Sequence, residues 1–292
     1  MLIDFHTHTS ASDGALSALE LLTRARSRGV GMLAITDHDT VAGYLSAKKV
    51  LMSEAPARHD LQLIPGIEFS CCWSSTTIHI VGLGMDSEHE AMRYGLSLLN
   101  AARKDRSEAI AARLEKLGFV GALSGATALA RSSQLGRPHF ASWMVNQGHV
   151  KDHATAFNKF LGQGKTGDVK AYWPALKEVV SWIVAAGGVA VFAHPLKYQF
   201  TRMKLRRLVT DFVAAEGRAI EITSGRQRPE QIAQLKRLAA EFELEVSVGS
   251  DYHRDGPYFP PPGIELPKIK PLRGVWERWL PPLETRLQDV VA

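Results

Sequence analysis

The 292-residue chain is short of cysteine: it has two, Cys71 and Cys72, side by side. Neighbouring cysteines are badly placed to bridge, because a disulfide needs two Cβ atoms facing one another at a set distance. A disulfide-stapled secreted domain is therefore not expected. Long apolar runs are missing too. None approaches the roughly eighteen residues of a membrane span, and no leader is visible before Leu2. The expectation is a reduced, cytoplasmic protein with no membrane partner. A strong excess of one charge is also absent. The net charge of +5 and a pI near 9.2 suit a phosphorylated substrate but are too small and too dispersed to indicate nucleic-acid binding. No internal repeat is visible.

What is present is an alternation of short strands and helices. Seven apolar runs read as buried parallel strands: LIDF (2–5), GMLAIT (31–36), LQLIPGIEF (61–69), TIHIVGL (77–83), GVAVFA (188–193), AIEIT (219–223) and LEVSVGS (244–250). Helical patterns separate many of them, such as 17–29 with a Ser17 cap and 229–243 with a proline in its first turn. This alternation predicts an α/β fold whose parallel sheet closes, or nearly closes, into a seven-stranded barrel. Between Leu83 and Val189 only helical patterns occur, a stretch far too long for an ordinary connection. Residues 99–171 are expected to form an inserted helical subdomain over the barrel mouth, leaving the barrel to 1–98 and 172–292. The proline-rich segment after Asp255 is expected to wrap the surface as extended chain.

The histidines fall in a pattern. His6, His8, His38 and His194 sit at or just past the carboxyl end of a strand, and His253 follows its strand by three residues. His79 lies inside a strand. Asp13, Glu68 and Asp251 lie late in strands or just after them. Taken singly each has an ordinary explanation: HTH as a chance pair, TDHDT as a helix cap, His-Pro as a turn. Together they place six imidazoles and three carboxylates at one barrel rim, where carboxyl ends of strands converge. Imidazole and carboxylate without thiolate suit Zn²⁺, Mn²⁺ or Fe²⁺. Nine ligands, at about three per ion, imply two or three ions, and such clusters commonly run phosphoryl displacement.

The ordered motifs DFHTH, TDHD, GIEFS, HIVG, AHP and SDYH resemble the PHP (polymerase and histidinol phosphatase) domain across both halves of the chain. The resemblance implies a distorted seven-stranded (β/α) barrel and a metal-dependent phosphoesterase with a trinuclear centre, with three Mn²⁺ expected and Zn²⁺ or Fe²⁺ as alternatives. Its ligands would be His6, His8, Asp13, His38, Glu68, His79, His194, Asp251 and His253, with Glu68 bridging two ions. The SDG carboxylate at Asp13, the helical insertion and GRPHF most resemble the TrpH/YciV-like subgroup. That likeness implies hydrolysis of nucleoside 3′,5′-bisphosphates and, in some relatives, of the 5′ ends of short oligonucleotides or RNA. Both activities break a P–O3′ bond, so one site gripping the 5′-phosphate of the first nucleotide can serve either.

The grip is expected in the insert. Arg103 and Arg106 lie three apart on one helix, and Arg137 precedes Pro138 at a helix start; His139 and Lys165 are further candidates. Phe140, Trp143, Tyr172 and Trp173 are considered as base-stacking residues, although helical aromatics are more often core. The expected mechanism is in-line attack by a hydroxide generated at the ions, with Asp251 orienting or deprotonating it. Three rivals stand beside this reading. A histidinol phosphate phosphatase would not need the arginines. An amidohydrolase would place a lysine at a strand end, where Glu68 stands instead. A non-catalytic nucleic-acid-binding domain would have lost ligands, and none is missing.

Overall fold

Each apolar run forms a strand in the computed structural model, which describes residues 1–54, 61–131, 133–170, 173–256 and 260–280. The strands are β1 (Leu2–Asp4), β2 (Val30–Ala34), β3 (Gln62–Ile64), β4 (Gly66–Trp73), β5 (Thr76–Leu83), β6 (Val189–Phe192), β7 (Ala219–Ser224), β8 (Glu245–Gly249) and β9 (Ile264–Glu265). They form two mixed sheets, ordered β3-β2-β1-β9 and β4-β5-β6-β7-β8.

Among the described residues no closed seven-stranded barrel is seen, and the strands are not all parallel. The run 61–69 is two strands, because Pro65 has no N–H for a ladder and interrupts it. β4 and β5 then form an antiparallel hairpin from Gly66↔Leu83 to Trp73↔Thr76, and β5 pairs antiparallel with β6. Among the described residues, parallel ladders between strands are confined to β1-β2-β3 and β6-β7-β8. The two sheets meet through single bridges, Thr7 with Tyr252 and His38 with Glu68, and through the Phe5 N–H donating to the Val248 carbonyl at 3.1 Å. These links gather the carboxyl ends of β1, β2 and β8 beside Glu68 of β4. Of the proline-rich tail, Ile264–Glu265 is extended and pairs with β1.

Helices cover the sheets. Helix Ala18–Ser27 starts at Ser17, whose hydroxyl accepts from the Glu20 N–H while Glu20 accepts from the Ser17 N–H at 2.7 Å. Between β5 and β6 lie helices Glu90–Glu115, Ala122–Ala130, Arg137–Asn146 and His153–Ala156, a π-helical turn Phe157–Leu161, and helix Leu176–Ala185. Ile110, Leu114, Phe140, Trp143, Met144 and Leu161 bury one another in a second core distinct from that of the sheets. Helix Glu90–Glu115 serves both, with Met92 and Leu99 in the sheet core and Ile110 and Leu114 in the other. The boundary expected at 98/99 thus falls inside one continuous helix. Among the described residues no helix is long and apolar enough to cross a membrane.

Candidate metal centre

Local backbone geometry delivers the site. The chain leaves β1 extended, so His6 and His8 point the same way, with ring centroids 5.2 Å apart. β8 presses so close that a Cβ on Gly249 would lie 2.3 Å from the Cβ of His6, which only glycine permits. Asp39, His194 and Asp251 hold positive φ of 54°, 32° and 53°. Such strain persists where the surroundings over-determine it, and here it marks three strand ends that converge on one point.

That point is Glu68, buried on β4. Its Oε1 lies 3.0 Å from His79 Nδ1 and 2.8 Å from His194 Nε2. Its Oε2 lies 2.9 Å from His38 Nδ1, 3.3 Å from His6 Nε2 and 3.4 Å from His8 Nε2. Asp251 Oδ1 stands 3.5 Å from His6 Nε2 and 3.3 Å from His8 Nε2. Asp13 completes the far side, 3.3 Å from His253 Nε2 and 3.8 Å from His38 Nε2. All nine residues singled out in the sequence are brought together.

Several of the ligand atoms crowd together without a well-formed hydrogen bond. His6 Nε2, both His8 nitrogens, His38 Nδ1, His194 Nδ1, Asp13 Oδ1 and Glu68 Oε2 are buried without a hydrogen bond among the described residues. Leaving a buried polar group unpaired costs about 1–3 kcal/mol, so seven in one cluster are unstable unless something binds them. Three subsets of three or four residues, His8–Asp13–His38–His253, His6–His8–Glu68 and His38–Glu68–His79, have ligand atoms within 4.8 Å of one another. The donor set and its geometry fit divalent metal ions.

A further layer of buried groups, not singled out in the sequence, holds this cluster. Glu221 Oε1 is 2.7 Å from His6 Nδ1, and its Oε2 accepts from the His194 N–H at 2.6 Å. In the metal-free chain burial disfavours a charged His6, but Glu221 and Glu68 outweigh it and push its pKa up to about 10, so an ion binding at Nε2 displaces a proton. At His79 burial outweighs Glu68 and the pKa falls to about 4. Asp37 accepts from the Thr9 N–H, the Thr9 hydroxyl and the Ser12 hydroxyl. Asp39 accepts from the Ser70 N–H at 2.6 Å. Asp4 accepts from the Ser250 and Gly263 N–H groups, and burial lifts its pKa to about 6. Lys197 pairs with Asp251. For Glu221 a signal existed: a lone carboxylate in the apolar run AIEIT.

The cluster opens through Asp13, His38 and His79 into a cavity of about 730 Å³, whose wall includes Arg103, Arg106, Arg137 and Trp173. Arg103 is fixed by Asp39, with its Nε 2.6 Å from Oδ2. Arg106 donates to the Val169 carbonyl and Arg137 to that of Leu161, both at 3.1 Å. The Trp173 ring lies 5.5 Å from the Arg103 guanidinium carbon and 5.7 Å from that of Arg106. Burial, then the neighbouring Arg137 and Arg103, lowers the Arg106 pKa to about 9, so it stays cationic at neutral pH. His139 and Lys165 do not line the cavity. His139 Nδ1 accepts from the Gly136 N–H at 3.1 Å, closing the start of its own helix, and Lys165 is exposed. Phe140 and Trp143 belong to the second core, and Tyr172 lies outside the described residues.

Comparison with known proteins agrees with this geometry. A family model described as the PHP domain matches residues 4–183. A 5′-3′ exoribonuclease of Haemophilus influenzae is 40% identical over 94% of this chain and 98% of its own. A 3′,5′-nucleoside bisphosphate phosphatase of Chromobacterium violaceum is 39% identical over 87% of this chain and 88% of its own. A solved structure from Chromobacterium violaceum, described as an amidohydrolase with bound sulfate and no metal, superposes with a TM-score of 0.85 at 38% identity. That match covers 97% of this chain and 96% of the other.

Proposed function

The chain belongs to the PHP domain family, and on that premise we infer that it is a metal-dependent hydrolase of nucleotide phosphoesters. It removes the 3′-phosphate of nucleoside 3′,5′-bisphosphates and takes mononucleotides from the 5′ end of short RNA. The observation that carries the reading is the buried, unpaired donor cluster opening onto three cavity arginines. Relatives bearing each activity match nearly the whole chain. The two reactions are the same bond cleavage, since each breaks P–O3′ of a nucleotide whose 5′-phosphate can be held.

We assign the nine residues as ligands of three ions, Mn²⁺ in the first instance, because nine donors give about three per ion. Ions held there would supply a nucleophile at neutral pH and would offset charge on the phosphoryl oxygens. The chain's own groups do the rest. Glu221 holds His6 in the tautomer that leaves Nε2 open toward the cluster. Asp251, steadied by Lys197, orients the nucleophile. Arg106 and Arg137 bind the 5′-phosphate, and Arg103, tied to Asp39, keeps Arg106 and Trp173 in place. Residues 99–171 serve as the cover carrying these arginines. Cys71 and Cys72, on opposite faces of β4, suit a reducing cytoplasm.

The test is phosphate release by Mn²⁺-loaded protein from adenosine 3′,5′-bisphosphate, 5′-AMP and histidinol phosphate. Turnover of the bisphosphate with 5′-AMP left intact is expected. Equal turnover of histidinol phosphate, or none of the bisphosphate, would overturn the nucleotide assignment.

A further inference from the structure

A second cavity, of about 480 Å³, reaches the same cluster from another side. The first cavity touches it at Asp13, His38 and His79, and the second touches it at Asp251 and His253. Lys197 lines both, so the two cavities flank the cluster on either side of its side chain. The second cavity sits over the carboxyl ends of β7 and β8, and its wall includes Ser224, Arg226, Gln227, Gln231 and Arg254.

Two observations mark it as a place for a ligand. Ser224 is 5% exposed, and its hydroxyl has no hydrogen-bond partner among the described residues although it lines the cavity. A hydroxyl buried unpaired at a cavity wall is satisfied only by what enters the cavity. Arg226, exposed on the loop following β7, pairs with no carboxylate among the described residues. A guanidinium and a hydroxyl beside amide side chains match a phosphate and a ribose.

We propose that this cavity receives the nucleotides 3′ of the scissile phosphate when the substrate is an RNA strand. The inference rests on the function proposed above. With the first nucleotide's 5′-phosphate on Arg106 and Arg137 and the scissile phosphorus at the cluster, the remaining strand has to leave past Lys197. Water's oxygen bonds to phosphorus, P–O3′ breaks, O3′ takes up the proton that the water gives up, and the first nucleotide departs as a 5′-monophosphate with a free 3′-hydroxyl. The shortened strand keeps the phosphate as its new 5′ end. A nucleoside bisphosphate has nothing beyond that phosphorus and leaves the second cavity unused. The two activities therefore separate at Ser224 and Arg226.

The test compares Mn²⁺-loaded wild type, R226A and S224A on adenosine 3′,5′-bisphosphate and on 5′-phosphorylated triadenylate. Removing an unpaired hydroxyl does not endanger folding, so S224A guards against an unfolded R226A. The expected result is bisphosphate kcat/KM within two-fold of wild type and a roughly ten-fold fall on triadenylate for R226A, carried by KM. The slope of log KM against log salt for triadenylate should also flatten by about 0.7. Equal losses on both substrates, no loss on triadenylate, or a wild type active on the bisphosphate alone would overturn the proposal. A wild type inert on both would instead remove the function on which it rests.

Discussion

Replacing Glu221 by glutamine keeps the shape of the side chain and changes one atom from acceptor to donor. In the native protein both oxygens accept, one at His6 Nδ1 and one at the His194 N–H, and both contacts are buried. An amide cannot do both. If its NH₂ faces His194, two donors oppose each other at the 2.6 Å position. If its NH₂ faces His6, Nδ1 has to accept, the ring proton moves to Nε2, and the nitrogen aimed at Glu68 and Asp251 loses its lone pair. Losing such a supporting contact costs about 10–100-fold in metal affinity or activity, or about 1.4–2.8 kcal/mol. Calorimetric titration of metal-free E221Q with Mn²⁺ should show that weakening, and bisphosphate hydrolysis should return in excess Mn²⁺. A folded E221Q that binds Mn²⁺ as tightly as wild type would refute this account of how His6 is held.

R106A should raise KM for adenosine 3′,5′-bisphosphate by about 10–100-fold, the worth of a charged hydrogen bond, while leaving 3′-AMP turnover unchanged. An equal effect on 3′-AMP would place Arg106 elsewhere than at the 5′-phosphate. G249A puts a methyl 2.3 Å from the Cβ of His6. It should cost about 1–3 kcal/mol in denaturant unfolding and weaken metal binding with it, and unchanged stability would contradict the packing of β8 on β1. The Asp4 pKa, raised by burial from 3.8 to about 6, gives a pH signature. Between those values the unfolded chain ionises while the native carboxyl stays protonated, so stability is lost as pH rises. The unfolding free energy of metal-free wild type relative to D4N should therefore fall by about 2 kcal/mol from pH 4 to pH 7. A gap that is flat, or that widens with pH, would show that Asp4 is ionised in the native state.

The candidate ligands were legible because their chemistry sits in short motifs at strand ends, and a strand end can be read from one stretch of chain. The closed barrel was not legible, because strand direction is a property of pairs. Pro65 splits one apolar run, and the Ser74–Ser75 turn reverses the chain with φ of 47° and 59°. A tight hairpin with positive φ at both positions usually announces itself with Asn-Gly, and two serines carry no such signal. The supporting roles of Glu221 and of Asp39, read in the sequence only as a possible helix cap, were hidden for a related reason. Their partners His6 and Arg103 are 215 and 64 residues away, and no local pattern records that. Three of the five residues proposed to grip substrate reach the cavity. His139 is consumed by its own helix start, a competition the sequence shows only once the helix boundary is known.

Asp39 ties the helical cover to the floor of the site. Its carboxylate holds Arg103 of the long helix, its N–H donates to the Glu68 carbonyl at 2.9 Å, and His38 precedes it. Any shift of the cover would thus reach the proposed ligands His38 and Glu68 through this one residue. Coupling of this kind would be reciprocal: by whatever factor a filled centre favoured the closed cover, a closed cover would tighten the hold on the ions. A substrate that draws Arg106 and Arg137 inward would then retain the very ions that cleave it, and product release would loosen both together.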